Sequence, residues 1–222
     1  MSFASVSFLL FFLVVLLLLL LVQRVLPFAE IKRRIICQGI LLIASYVFYG
    51  WWNMRLCLLL MGITWISFFT AVKKDEKHLR QSRISLLIGV GTPLAVLGIF
   101  KYYDFFVTSF CEVFHLTPGV LNLILPVGIS FYTFQALSYT IDVYTGKIEK
   151  EKSFLQFALY LSFFPQLVAG PIVKASEFLP QLKENRKVTL SGLESGIQIF
   201  VFGMFKKVVL ADNISVLSLI HI

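Results

Sequence analysis

Ser130, Thr133, Gln135, Ser138, Asp142 and Gln166 are hydrogen-bonding side chains set in a strongly apolar stretch, Leu125 to Leu182. The stretch opens LPVGISFYTFQALSYTIDVYTGK and, after a short charged break, continues FALYLSFFPQLVAGPIVKASEFLPQL. Pro126, Pro165 and Pro171 interrupt it. In hydrocarbon every polar side chain and every freed backbone group must find a partner. Such a stretch therefore fits the wall of a protein-enclosed cavity better than a lipid-facing surface. Its hydroxyls and amides suit holding and passing a polar substrate. Tyr132, Gln135, Ser138, Tyr139, Gln166, Gly170 and Pro171 are the residues expected to line or shape such a path. For each residue alone, a packing hydrogen bond between helices explains it at least as well; the case rests on their clustering.

Other chemistry-bearing residues carry less. His78 lies in the charged loop KKDEKHLRQSR and reads as a solvated side chain. Glu112 and His115, three apart, fit a surface pair; one such pair without further ligands makes no metal site. Cys37, Cys57 and Cys111 form no CxxC and read as packing residues. There is no glycine-rich phosphate loop and no GxSxG elbow.

Four blocks in order carry a family resemblance: ASYVFYGWWN (Ala44–Asn53), FKYYDFF (Phe100–Phe106), LPVGISFYTFQALSYTIDVY and FFPQLVAGPIVKASEFLPQL. Together they resemble the membrane-bound O-acyltransferase (MBOAT) superfamily, over a region reaching about Asp212. The likeness is greatest to the bacterial branch that acetylates alginate and other exopolysaccharides, with the D-alanyl transfer protein of teichoic acid synthesis a close relative. It implies an acyl donor that is a cytoplasmic thioester, such as acetyl-coenzyme A or an acylated carrier protein. It implies an acceptor hydroxyl outside, on a polysaccharide or a partner transferase. It also implies a buried histidine as general base, downstream of everything present here. None of His78, His115 and His221 matches that motif, so no catalytic residue is assigned, and the chain alone is expected to be inactive. Lys174, Lys183, Arg186 and Lys187 are candidates for coenzyme A phosphates, although cytoplasmic loops are basic without any such role.

The elements that must position these residues follow from hydropathy. Of the 222 residues, 58% are hydrophobic and only 14% charged, against about 25% charged in soluble domains. Mean hydropathy is +0.86. The expected fold is all-α: a polytopic transmembrane helical bundle with kinked and re-entrant helices, a truncated MBOAT fold forming a single membrane domain over residues 1–222. The net charge of +8 lies in loops between apolar spans, as cytoplasmic loops require, and forms no nucleic-acid footprint. Its partners are then the lipid bilayer, the donor and the acceptor.

Phe3–Val22, Ile35–Gly50, Leu56–Val72 and Ile84–Phe100 read as the first four spans. The first is too long and lacks the flanks for a signal peptide. The loops at 23–34 and 73–83 are rich in Lys and Arg, which puts both in the cytoplasm and the N-terminus outside, in a multi-pass protein of the inner (cytoplasmic) membrane. Tyr46, Phe48, Tyr49, Trp51 and Trp52 read as an interface belt. Phe105–Leu116 reads as a separate amphipathic helix in the outer interface. Thr117-Pro118 reads as a helix start, with a kink or break at Pro126 and Gly128, a broken helix beside a channel being the favoured reading, and the helix ending near Ile141 and Asp142. Phe154–Val168 is too short to span, and basic loops flank it on both sides, so a hairpin entering and leaving at the cytoplasmic face is expected. Ser176–Leu190 reads as an interfacial segment. Ser191 and Glu194 match a capping box for a helix running to about Ala211.

The sequence ends LSLIHI in the middle of an apolar run, whereas the family continues for about as much chain again. Residues 217–222 are therefore expected to be a non-native tail. Two other function classes fit less well. A transporter would show paired repeats, and none is visible; a non-catalytic scaffold would not need the clustered polar blocks.

Overall fold

The computed structural model describes residues 5–24, 29–74, 78–114, 125–167, 170–184 and 189–214, and these are helical apart from their connections. The helices are α1 (Val6–Arg24), α2 (Glu30–Gly50), α3 (Met54–Thr70), α4 (Leu79–Val113), α5 (Ile129–Tyr144), α6 (Phe154–Ser162), α7 (Phe164–Leu167), α8 (Ala175–Lys183) and α9 (Leu190–Phe205), the last followed by a π-helical turn, Lys206–Ala211. α1 and α4 are long and apolar enough to cross a bilayer. The chain forms two compact units, one of residues 1–37 with 185–222 and one of residues 38–184.

In the first unit, α1 buries Phe8, Val15 and Val22. This seven-residue spacing returns to nearly the same helix face, and most of its leucines are exposed. Phe12 stacks on Phe200 of α9, ring centroids 6.1 Å apart. α9 does not begin with the expected capping box. Its N-cap is Thr189, in extended conformation, whose hydroxyl accepts from the Gly192 N–H at 3.1 Å. Ser191 lies inside the first turn, where the backbone is already helical, so it cannot take the N-cap position. The expected tail, 217–222, lies outside the described residues, as do Thr117, Pro118 and His115.

The second unit is built around α5. Ile129, Tyr132, Ala136, Tyr139 and Val143 recur at spacings of three and four along it and are all buried. They pack with Leu60, Ile63 and Phe68 of α3, Leu97 of α4, and Phe157, Tyr160 and Leu161 of α6 in one apolar core. α5 can pass close to α4 because Gly89 has no side chain: a Cβ there would stand 2.5 Å from Thr70 Oγ1 and 3.0 Å from a Thr140 methyl.

Three expectations are tested in this unit, and the first and third are corrected. First, the fourth span and the amphipathic helix after it are one helix. α4 runs 35 residues without a break, about 52 Å. Lys101, Tyr102, Tyr103 and Asp104 mark a change of surroundings, but none of them breaks a helix. Pro93 lies inside α4 without ending it. Second, at Pro126, where a kink or break is expected, Leu125–Gly128 is not helical, and α5 starts only at Ile129. Gly128, at φ 76°, turns the chain into α5. α5 then continues to Tyr144, one turn past Ile141. Third, the aromatic cluster is divided. Trp51 and Trp52 are exposed, but Phe48 and Tyr49 are buried in the bundle at 0% and 2% exposure.

The segment from Glu151 to Lys183 enters and leaves at one end of this unit. α6 is nine residues long, about 13 Å, well short of a hydrocarbon core of about 30 Å. It stops at Phe163, whose ψ of 109° is not helical, and the single turn of α7 follows. The Phe164 N–H freed by this break donates to Ser45 Oγ at 3.2 Å, deep in α2. The chain then returns through α8, where the Gln38 side-chain amide donates to the Leu182 carbonyl at 2.8 Å. Lys183 Nζ lies 2.7 Å from Glu151 Oε2, closing the two ends together. The chain just past α3 meets the end of α5, with the Lys74 N–H on the Tyr144 carbonyl at 3.1 Å.

Candidate functional site

α5 turns Tyr132, Gln135 and Tyr139 to its buried face, at 0%, 4% and 0% exposure. These positions repeat at helical spacing, so one apolar stripe carries two phenols and an amide into the core. Tyr139 ends in a firm contact: its ring lies 4.5 Å from that of Phe157, and its hydroxyl accepts from the Glu151 N–H at 2.9 Å. Tyr160 reaches across from α6 and donates to the Val173 carbonyl at 3.1 Å. Ser138 does not join this stripe. It is only partly buried and points toward Asp142, with 3.5 Å from Oγ to Oδ2. Asp142 also pairs with Lys147 at 3.5 Å, the partnership with a loop lysine that its place near the end of the helix allows.

Gln166, Gly170 and Pro171 sit where the α6–α8 segment turns back. Gly170 is required by close approach: a Cβ there would meet the Gln166 Cα at 2.6 Å. Its N–H donates to the Gln166 carbonyl at 3.1 Å. Pro171 is exposed. The turn reaches the start of α5, because the Leu167 carbonyl oxygen lies only 2.2 Å from where a Cβ on Gly128 would stand. It also reaches α2, with Phe164 and Phe48 rings 5.7 Å apart. One residue on, Tyr49 meets Tyr132 edge to face, centroids 6.5 Å apart. The end of α2, the start of α5 and the turn at α7 therefore converge. Two of the seven expected path residues, Tyr132 and Gln166, belong to that convergence.

The electrostatic anchor lies at the opposite end. Glu151 is buried, at 5% exposure. Burial acts to raise its pKa. The Lys183 hydrogen bond, the Ser153 and Lys152 N–H groups at 3.0 Å and 2.9 Å, and the Lys183 charge outweigh it and hold the carboxyl below its ordinary value. Lys183 is thus engaged by a carboxylate. Lys150 lies over the Phe68 ring at 5.4 Å, and partial burial lowers its pKa.

Sequence reading missed Tyr49, Ser45, Gln38 and Glu151. For Ser45, Phe48 and Tyr49 a signal existed: their spacing of three and four places them on one helix face, away from Trp51 and Trp52. Glu151 gave none, being one acid among loop lysines. Among the described residues the one histidine is His78, exposed at the start of α4, and no group of three or more His, Cys, Asp or Glu could hold a metal ion.

Known proteins are similar to this chain in sequence. The pattern of the MBOAT, membrane-bound O-acyltransferase family, matches residues 147–222. "Probable alginate O-acetylase AlgI" of Pseudomonas putida is 38% identical over 185 residues, covering 81% of this chain and 38% of that protein. "Peptidoglycan O-acetyltransferase" of Helicobacter pylori is 37% identical over 200 residues, covering 78% and 38%. "Teichoic acid D-alanyltransferase" of Streptococcus thermophilus is 31% identical over 98 residues, covering 43% and 23%. No solved structure matches. The chain spans little more than a third of the length of the first two relatives. With the broken helices, the apolar spans and the ordered matches all in hand, the chain belongs to the membrane-bound O-acyltransferase family.

Proposed function

We propose that this chain is part of a multi-pass membrane enzyme that transfers an acyl group, acetyl in first place, from a cytoplasmic thioester to a hydroxyl of an extracytoplasmic polysaccharide or of a partner transferase. The observation that carries this reading is the identity of 38% and 37%, over about four-fifths of the chain, to relatives named for O-acetyl transfer to alginate and to peptidoglycan. The D-alanyl reading has support of the same kind, over a shorter match. Acetyl-coenzyme A is the donor that the acetyl reading calls for.

The geometry supports a cytoplasmic donor side. The loop after α3 carries Lys73 and Lys74, and it joins Tyr144, Glu151 and Lys183 at one end of the second unit. Loops with this excess of lysine belong in the cytoplasm. The Glu151–Lys183 segment is then a re-entrant hairpin opening at the cytoplasmic face, and the N-terminus is extracytoplasmic. Its backbone is interrupted at Phe163 and near Gly170, which is tolerated at membrane depth only where protein or a wet cavity surrounds it. Tyr132, Gln135, Ser138, Tyr139, Gln166, Gly170 and Pro171 line or shape the way from that face. Among the described residues the one histidine, His78, is exposed at the start of α4 and does not suit a buried general base, so we read the base as supplied by chain outside the described residues.

A chimera tests this reading. The aligned segment of the Pseudomonas putida relative is replaced by this chain in a host lacking that relative, and the O-acetyl content of secreted alginate is measured. Restored acetylation is expected, with no acetylation from this chain alone. A chimera that inserts at the parent's level yet leaves alginate unacetylated counts against the reading. Acetylation by the 222 residues alone would overturn the expected inactivity of the chain by itself.

A further inference from the structure

We propose that Tyr49, Tyr132 and Gln166 form a polar subsite that binds the acyl group's carbonyl oxygen through a phenol O–H and leaves the Gln166 amide oxygen to accept from a hydroxyl. The inference rests on the acyltransferase reading and adds to it a place and a chemistry.

Three observations carry it. The hydroxyls of Tyr49 and Tyr132 are buried with no protein partner beyond each other, and Oε1 of Gln166 is buried with none. Both tyrosines are more than nine-tenths buried. An unpartnered buried polar atom costs about 1–3 kcal/mol, and in native proteins such an atom calls for an explanation. The two phenols face each other edge to face. If one donates to the other, the second still has a proton to give, so the pair always offers a donor to a third oxygen. The third group comes from the hairpin turn. Gln166 precedes Leu167, whose carbonyl abuts Gly128, and Gly128 lies one turn before Tyr132 on the chain entering α5.

The chemistry is complementary. A thioester carbonyl accepts from an O–H, and a donor aimed at that oxygen stabilises the negative charge that develops there during acyl transfer. An attacking alcohol has a proton to donate, and an amide oxygen accepts it. Tyr139 is engaged by Glu151, Tyr160 by Val173 and Ser45 by Phe164, whereas Gln156 Oε1, Thr133 Oγ1 and Ser67 Oγ are further buried atoms without a partner. Tyr49, Tyr132 and Gln166 are set apart by lying on the three elements that meet next to a backbone break.

The test uses acetyl-coenzyme A labelled with 13C at the acetyl carbonyl and the purified chain in nanodiscs. The carbonyl stretch is read as a 12C-minus-13C infrared difference. A saturable band displaced to lower frequency is expected, with Y49F and Y132F each removing part of the displacement and Y46F leaving it intact. Tyr→Phe deletes only the hydroxyl, and circular dichroism checks that the fold survives. A saturable band insensitive to both substitutions overturns the subsite, and so does a band that matches free acetyl-coenzyme A. No saturable band overturns it as well, while the chimera assay decides the acyltransferase reading separately.

Discussion

The two ends of the second unit differ in how their polar groups are satisfied. At the end bearing the lysine loops, the charged and amide groups that tie the segment down are matched, Glu151 by Lys183 and two backbone N–H groups, Gln38 by Leu182 and Lys74 by Tyr144, while Ser67 Oγ and Gln156 Oε1 are buried without a partner. Where the hairpin turns back, the hydroxyls of Tyr49 and Tyr132 have only each other and the Gln166 side-chain carbonyl has none. The first end holds the hairpin in place, and substitutions there should cost stability. The second holds groups that the fold does not use, and removing them should cost little stability but should cost binding. Unfolding of the purified chain in detergent micelles, followed by circular dichroism, measures the stability side of this contrast.

The largest expected effect is at the hinge between the two ends. Gly128→Ala puts a Cβ at positive φ, 2.2 Å from the Leu167 carbonyl oxygen. Backbone strain together with overpacking should destabilise the chain by about 3 kcal/mol. Tolerance of alanine there would show that the hairpin turn does not press on the start of α5.

Glu151→Gln comes next, at about 1–2 kcal/mol, toward the low side because Lys183 remains more than half exposed. Its sign with pH is fixed by the lowered pKa. The stabilisation is fully present above the ordinary glutamate pKa of about 4.3 and is lost as pH falls through the lowered folded value. Hydrogen exchange across 154–183 should therefore quicken on strong acidification in the parent, and E151Q should remove that dependence. Unchanged acid sensitivity in E151Q would place the anchor elsewhere.

Ser45→Ala removes the hydroxyl to which the Phe164 N–H donates, for about 1–2 kcal/mol. Exchange of that amide should quicken more than that of its neighbours in α6. At the far side of the contrast, Y132F should leave unfolding unchanged or raise stability by up to about 1 kcal/mol, because the hydroxyl it removes has no protein partner beyond Tyr49. A clear loss in Y132F would erase the difference between the two ends.

Much of the architecture was legible from sequence because it rests on hydropathy. The expected spans Phe3–Val22, Ile35–Gly50 and Leu56–Val72 fall within a few residues of α1, α2 and α3, and the shortness of Phe154–Val168 shows again in the nine-residue α6. What escaped depends on direction. Lys101 to Asp104 look like a membrane boundary by polarity, yet no residue there ends a helix, so α4 runs on. Phe48 and Tyr49 look like interface aromatics by type, yet helix geometry turns them inward with Ser45. Thr189 and Ser191 are both capable caps; only the extended backbone at Thr189 decides between them. In the candidate site, Tyr132 and Gln166 stood out as polar residues in apolar runs. Their partner Tyr49 lay in a cluster whose simplest explanation was the bilayer surface.

The central claim is that the segment from Glu151 to Lys183 enters and leaves on one side. It is tested most directly by thiol labelling in whole cells. With Cys37, Cys57 and Cys111 replaced by alanine, single cysteines are placed at Lys152, ahead of α6, and at Glu184, just past α8. Each is exposed to a membrane-impermeant maleimide before and after permeabilisation. The account predicts that both positions react only after permeabilisation. Labelling of one in intact cells while the other stays protected would put the two ends on opposite faces and contradict the hairpin.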